Sequence, residues 1–589
     1  MLQKQRWVVM AKRADFNAIA GRFHIDPVLA RIIRNRDLTE EEQIELYLNG
    51  TRSDFFDPHL LADAKAAAQI LQRKLEEKQH IRIIGDYDID GVNATYILVT
   101  SLREAGAFVD YAIPDRMVHG YGLNQMLIDE AVKAGVDTIV TCDNGISAIP
   151  EIAYAKEMGL TVIVTDHHEV VYEETDGVRT YILPPADAVI DPKRTDCPYP
   201  NKSCCGAVVA WKVMQVLYER IGLDVSKLDA LIENAGFATV GDVMDLIGEN
   251  RVIVKEALKA LNHTQNTGMR ALINASGLTM GQIKAYHIGF VLGPCMNATG
   301  RLDTAGRAME LLLAQEQIKA EELAQSLVQL NEERKSMTIH GVEEAVAQIE
   351  QAPWKDDAVY VIYLPECHES LAGIIAGRIR EKYNRPVFVL TKAAEGVKGS
   401  GRSIDAYSMY DEMCKVKHYF TKFGGHPLAA GLSMAEGDVD AFRQELNEKT
   451  TLTAADLVPK VTIDVPMPID YISFELVGQI GILEPFGKGN AKPVFAEKSL
   501  KFVRARRIGK EGRMLKFTVC NDTGIRMEAV CFLDADDVLE TMCESNGKEE
   551  VEKLLSGRDC NVRQSVLYYP EINEYMGRKT LQIIITGIC

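Results

Sequence analysis

Four short apolar runs, rich in β-branched residues, are each followed at once by acidic or histidine side chains. Ile81-Arg82-Ile83-Ile84-Gly85 leads into Asp86-Tyr87-Asp88-Ile89-Asp90-Gly91, and Thr138-Ile139-Val140-Thr141-Cys142 into Asp143-Asn144-Gly145. Thr161-Val162-Ile163-Val164-Thr165 leads into Asp166-His167-His168, and Ala238-Thr239-Val240-Gly241 into Asp242. Runs of this kind that end in Gly or Asp predict buried parallel strands. Between them the spacing turns helical, near 92–105, 123–134 and 150–158, with an extended return at 107–113. Repeated strand and helix units imply a parallel sheet covered by helices. In such a sheet, ligands gather outside the carboxyl ends of the strands, so all four clusters are expected to converge.

Elsewhere the texture changes. The first sixty residues, with Pro27 and Pro58, predict a small helical preface packed on the core. From 304 to 349 the leucines recur at helical intervals in a charged, proline-free stretch, which predicts a long connecting helix. A second α/β lobe follows, with strands near 358–363 and 387–390 around a helix at 370–383. It carries two glycine-rich segments read as turns, Lys398-Gly399-Ser400-Gly401-Arg402-Ser403 and Phe423-Gly424-Gly425-His426-Pro427. Beyond about 450, strands near 515–519, 526–532 and 580–586 predict a small β-barrel.

Length and charge narrow the classes. With 589 residues, 47% apolar and 25% charged, the chain is expected to hold several domains. No apolar stretch reaches the roughly 18 residues of a bilayer span, and the start lacks a secretory core, so a cytoplasmic location is expected. The net charge of −18 argues against coating nucleic acid over the whole surface and leaves room for a local basic groove. Twelve cysteines occur without a Cys-x-x-Cys pair, which suits reduced, buried thiols rather than a zinc knuckle.

Each acidic cluster is a weak signal by itself, since Asp and Gly are favoured in turns. Taken jointly, at the strand ends of one domain, they supply carboxylates and imidazoles without thiolates, a donor set for manganese or magnesium. Two such ions about 3.5–4 Å apart need a bridging carboxylate and activate hydroxide for phosphoryl displacement. Asp143, alone after a central strand, is the natural bridge, and Asp88 and Asp90 are placed to face different ions.

These motifs resemble those of the DHH phosphoesterase superfamily: Asp86 to Gly91, Asp143-Asn144-Gly145 and Asp166-His167-His168 its first three, Gly241-Asp242 its fourth. Within it the chain is similar to the single-strand-specific exonucleases, through Pro114-Asp115-Arg116, Cys205-Gly206-Ala207, Asn297-Ala298-Thr299-Gly300-Arg301-Leu302, Gly424-Gly425-His426 and Leu483 to Asn490. The resemblance implies an α/β multidomain fold. Its parts are a helical segment (1–60), a parallel-sheet DHH domain (61–303), a connecting helix (304–350), a DHH-associated α/β domain (351–450) and an OB-like β-barrel (451–589).

It implies Asp88, Asp90, Asp143, His167 and Asp242 as ligands of two divalent ions, Mn2+ or Mg2+, with His168 beside the scissile phosphate and Asp166 orienting an imidazole. Where many members carry a histidine this chain has Ile84, leaving the first ion one ligand short or completed by Asp86 or water. Cys295 stands where the family has an arginine, and Thr299 where it has alanine.

For substrate, Arg116 after a strand is expected to read a 5′-phosphate or to form a surface ion pair. Arg301 in a Gly-Arg turn and Arg402 with Ser400 and Gly401 are expected to bind phosphate, with Asn297, and with Gly425 and His426 closing the site. Arg504, Arg506, Arg507, Lys510, Arg513 and Lys516 form the densest basic stretch, with Phe486, Phe502 and Tyr568 as candidate stacking platforms. The activity implied is 5′-to-3′ hydrolysis of single-stranded DNA to mononucleotides by a two-metal-activated hydroxide, in DNA repair and recombination. A helicase and a single-strand-binding protein are candidate partners, no membrane is involved, and a monomer is expected. Two alternatives stand beside it: a phosphodiesterase for short oligonucleotides or cyclic dinucleotides, and a non-catalytic nucleic-acid scaffold. The long connector and extra β domain argue against the first, the retained ligands against the second.

Overall fold

A computed structural model describes residues 2–115, 122–175 and 177–589. Arg116 lies outside the described residues. The chain forms two compact units, one of 1–49, 453–484 and 491–589, the other of 50–452 and 485–490.

In the larger unit, the first strands are β1 (His80–Ile84), β2 (Phe108–Ala112), β3 (Thr138–Cys142), β4 (Thr161–Thr165) and β5 (Ala188–Ile190). They form one parallel sheet in the order β2-β1-β3-β4-β5. Alternate side chains enter different cores. Ile81 and Ile83 pack with Ile97, Leu98 and Val213, whereas Ile84 packs with Leu123, Leu127, Ile139 and Val162. Burial on both faces explains why these strands read as unbroken apolar runs. The order reverses between β1 and β3, so Asp86 and Asp143 flank the crevice where an open sheet binds its ligand.

Three helices close on that crevice. α1 (Ile89–Glu104) begins at Asp88, which caps it by accepting from the N–H groups of Asp90 and Gly91 at 2.9 and 3.1 Å. α2 (Gly206–Ile221) and α3 (Ile232–Gly241) pack on α1. The fourth run, expected as a strand, is the last turn of α3, and Asp242 is its C-cap. Residues 232 to 239 are buried on every side, so the segment shows neither a strand nor a helix period, and only its full length separates the two.

α4 (Gly293–Leu302) runs past the loop after β1, so Arg301 lies in a helix and not in a turn. The connector is α5 (Gln317–Gln351), 35 residues and about 50 Å long, preceded by the separate helix Gly306–Leu313.

The second lobe is a five-stranded sheet of β6 (Tyr360–Tyr363), β7 (Val387–Lys392), β8 (Val397–Arg402), β9 (Phe420–His426) and β10 (Ala429–Met434), ordered β9-β10-β8-β7-β6. Both glycine-rich segments are therefore strands, not turns; the turn falls at Pro427-Leu428. Glycine is required there for space. A Cβ on Gly399 would meet Leu390 at 2.2 Å, and one on Gly401 would meet Met409 at 2.4 Å.

In the smaller unit, β11 (Phe495–Ile508), β12 (Met514–Cys520), β13 (Arg526–Cys531), β14 (Val562–Tyr575) and β15 (Arg578–Ile588) lie in the order β11-β12-β13-β15-β14, and β14 also pairs with β11, closing a ring. Of the N-terminal segment, expected to pack on the core, residues 1–49 belong here, whereas 50–60 belong to the larger unit, with Phe55, Phe56 and Leu60 against its core. The segment opens with a strand, Arg6–Val9, paired in parallel with Lys460–Ile463, and Asn35 Nδ2 donates to Asp464 O at 3.0 Å. Sequence periodicity marks an apolar face without naming what covers it. Among the described residues no helix is long and apolar enough to cross a membrane.

Candidate metal and substrate site

Local backbone geometry presses the acidic loops together. Asp143 follows β3 in the left-handed region, φ +60°, with its N–H bonded to Thr165 O at 3.0 Å. Asn144 Nδ2 donates to Ile84 O at 3.1 Å and Cys142 O at 2.9 Å, tying the turn to two strands. Gly91 and Gly206 are needed for close approach: a Cβ on the first would sit 2.5 Å from Asp86 backbone atoms, and on the second 2.8 Å from Asp143 Cβ. A Cβ on Gly300 of α4 would lie 2.5 Å from Tyr87 O.

The described residues gather into three sets of potential ligands: Asp86, Asp88 and Asp143; Asp90, His167 and Asp242; and Asp143, His167 and His168. His167 Nε2 lies 3.0 Å from Asp143 Oδ1, 3.6 Å from Asp90 Oδ2 and 3.7 Å from Asp242 Oδ2. Asp143 thus belongs to both sides of the cluster. Asp90 is fully buried, its two oxygens accepting the N–H groups of Gly206 and Ala207 at 2.6 and 2.8 Å at the start of α2. Each carboxylate oxygen keeps a second lone pair for a cation. Asp242 sits at a helix C-terminus, whose partial negative charge also favours a cation.

Asp166 stands behind the two histidines. Its Oδ1 accepts the N–H of His167 at 2.7 Å and approaches His168 Nδ1 at 2.8 Å, while Oδ2 accepts Ile146 N–H at 2.9 Å. Ile84 points into the apolar layer under the sheet, and Asp86 groups with Asp88 and Asp143 in the cluster.

The electrostatics call for cations. Burial, then the Asp88 charge, pushes Asp86 up to about 8. Burial, then Asp90, pushes Asp242 up to about 8 and also raises Asp88 and Asp143. Burial lowers His167. Partial burial opposes the charged form of His168, but its bond to Asp166 and the surrounding carboxylates raise it to about 9. Burial opposes the charge of Asp166, but the same bond, the two histidine charges and the Ile146 N–H together lower it. Asp86 Oδ1 and His167 Nε2 are buried and form no hydrogen bond, each costing about 1–3 kcal/mol unless ligated. Oxygen and imidazole donors without thiolate fit two hard or borderline divalent ions.

Sequence reasoning missed Asp191, which follows β5 as the other acids follow their strands. It is fully buried, and burial followed by the Asp166 charge raises it to about 8. The run Ala188-Val189-Ile190-Asp191 carries the same signal in shorter form.

On the second lobe a cavity of about 470 Å³ is lined by Lys398, Gly399, Ser400, Lys422, Phe423, Gly424 and Glu369, among others. Of the expected phosphate contacts it includes Ser400. Strand alternation turns Gly401 away, onto Met409 and Phe388, and Gly425, at φ +155°, packs its backbone on Ala429 and Ala430. His426 is exposed at the end of β9. Lys398 and Lys422 were not singled out, although both lie two residues from a lining glycine or serine and so share its face.

Arg402 is held down from its usual pKa by burial and by Arg380, with Nη1 donating to Gly401 O at 2.7 Å. Arg301 Nη1 donates to Ser370 O at 2.7 Å, joining α4 to the second lobe, and Asn297 Oδ1 is buried without a hydrogen bond. In the smaller unit Arg504, Arg506 and Lys510 are exposed along the β11–β12 hairpin, whereas Arg507, Arg513 and Lys516 pair with Asp536, Glu511 and Glu528. Phe502 and Tyr568 are fully buried core residues against Phe517 and Phe495 and offer no stacking face.

A parallel sheet whose strand ends gather this donor set, joined through Arg301 to a second lobe with a basic cavity, defines a metal-dependent phosphoesterase of the DHH type. Profiles of the "DHH family, N-terminal domain", the "DHHA1 domain" and the "RecJ OB domain" match residues 80–235, 356–451 and 463–587. The single-stranded-DNA-specific exonuclease RecJ of Bacillus subtilis is 32% identical over 99% of this chain and 71% of its own length. That of Escherichia coli is 30% identical over 96% of each chain. The crystal structure of RecJ from Thermus thermophilus in complex with Mn2+ superposes with a TM-score of 0.80 at 27% identity, covering 99% of this chain and 79% of that one. This chain belongs to the RecJ family of exonucleases.

Proposed function

We propose that this chain hydrolyses single-stranded DNA from its 5′ end to 5′-mononucleotides. The observation that carries the reading is the pair of ligand sets, Asp86–Asp88–Asp143 and Asp90–His167–Asp242, which meet at Asp143 and His167. Asp143, Asp86, Asp88, Asp90, His167 and Asp242 would hold the two ions, with Asp86 serving in place of the side chain that Ile84 does not supply.

When bound, two divalent ions supply Lewis acidity to the phosphoryl oxygens and an activated water. The remaining work falls to side chains. His168, half-exposed and charged over most of the pH range, faces the phosphate and donates a proton or hydrogen bond to it. Asp166 keeps that imidazole oriented and protonated. Ser400, Lys398, Lys422 and Arg402 take the terminal phosphate, and Asn297 and Arg301 hold the backbone beside the ions. The exposed Arg504, Arg506 and Lys510 of the smaller unit are further contacts for the DNA backbone in this reading. Arg116 and His426 are further phosphate contacts in this reading. The same reading assigns the protein to DNA repair and recombination in the cytoplasm, as a monomer fed by a helicase and a single-strand-binding protein.

The test is end-labelled single-stranded DNA, RNA, duplex and cyclic dinucleotide, each with manganese, with chelator and with Asp143→Ala. Loss of single nucleotides from the 5′ end of the DNA strand is expected, dependent on metal and on Asp143. Cleavage of the dinucleotide with the strand left intact overturns the reading.

A further inference from the structure

Two aromatic side chains stand out on the helical stretch that enters α4. Tyr286 and Phe290 are 63% and 67% exposed, and their rings stack on one another at 5.0 Å with planes 25° apart. They are four residues apart, hence on one face, and 288–292 form a π-helical turn, a widened turn frequent at functional sites. Neither ring contributes to a core, and exposing both leaves apolar area in water that a stacked ligand would cover.

The surroundings identify that ligand. A Cβ on Gly289 would touch Val240 at 3.8 Å, so the pair sits beside the end of α3, which carries Asp242. Just beyond Asp242, Val243 and Ile247 are also exposed. Val243 is held at φ +57°, a strained conformation for a β-branched residue. Following the helix in the other direction, Asn297 lies seven residues from Phe290, about 10 Å along the axis. Since about 3.4 Å is the rise per nucleotide of a stacked duplex and a single strand is more extended, that is at most some three nucleotides. With Asn297 holding the backbone beside the ions, as proposed above, flat aromatic faces on the same helical stretch are placed to meet the bases of a held strand.

We propose that Tyr286 and Phe290 form a base-stacking platform that grips the DNA strand within about three nucleotides of the reacting phosphate. This rests on the exonuclease reading above. Stacking needs no particular base, so the platform adds grip without sequence preference. It also favours strands long enough to reach it over dinucleotides.

The experiment uses the full chain with manganese and compares the wild type with Tyr286→Ala/Phe290→Ala and with Phe290→Trp. On a 20-nucleotide strand the double variant is expected to raise KM about tenfold with little change in kcat, while Phe290→Trp keeps the wild-type KM. The tryptophan emission that Phe290→Trp adds over the wild type should be quenched when DNA binds, less so when positions 2 to 4 are abasic. An unchanged KM in the double variant, or quenching indifferent to abasic sites, overturns the platform. A wild type that cleaves no DNA overturns the exonuclease reading itself, so the two failures are distinct.

Discussion

Asp166 Oδ1 lies 2.8 Å from His168 Nδ1 and also accepts the main-chain N–H of His167. One buried carboxylate thus sets the charge of His168 and the backbone position of its neighbour. Asp166→Asn keeps the shape and removes the charge. It should lower kcat on single-stranded DNA about 10–100-fold and bring His168 from about 9 toward the ordinary histidine range. Steady-state kinetics and an NMR titration of His168 in chelator check both, and an unchanged kcat removes Asp166 from the mechanism.

Asp143 is crowded by Asp88, Asp90 and Asp242, and its charge is costly unless cations are present. In chelator, Asp143→Asn should therefore melt above the wild type. Manganese at 100 times its Kd should add about 2.7 kcal/mol to the wild type and much less to the variant. Thermal unfolding with and without metal reads both differences. A variant that gains as much from manganese as the wild type shows that Asp143 is no ligand.

Glu233, buried on α3 with Thr264 Oγ1 donating to it at 2.9 Å, is raised by burial from 4.5 to about 7. The folded state then holds a proton that the unfolded state has lost, so stability falls as pH rises from about 4.5 to 7 and levels off above. The total is about 3 kcal/mol. Glu233→Gln should lack this slope and have the higher urea midpoint at pH 8. Parallel pH profiles for the two proteins would count against it.

Gly300 faces Tyr87 O across a gap that a methyl group cannot enter. Gly300→Ala should cost about 1–3 kcal/mol and displace the loop that carries Asp86 and Asp88. Activity should fall with metal affinity, measured by manganese titration; a variant with wild-type affinity shows that the loop absorbs the shift.

Much of the catalytic sheet was legible because three of its five strands, β1, β3 and β4, carry a strong signal: runs of five rich in apolar or β-branched residues, each stopped by Gly or Asp. The helical ending of α3 was not, since a segment buried all round has no amphipathic period. The glycine strands β8 and β9 read as turns because glycine's freedom of φ dominates a local reading. In fact Gly399 and Gly401 are glycine because facing side chains leave no room for a Cβ. Phe502 and Tyr568 were indistinguishable from exposed platforms for a similar reason, since an aromatic in a strand looks alike on either face.

By itself the sequence determined which carboxylates and imidazoles stand at the ends of β1, β3 and β4, because side chains placed there must emerge at one edge of a parallel sheet. Only the tertiary structure decided how they divide. Strand order puts Asp86 and Asp143 across the reversal point, glycine contacts bring α2 and α4 within reach, and the C-terminus of α3 delivers Asp242 to His167. Those distances come from packing between elements far apart in the chain, which no local pattern encodes.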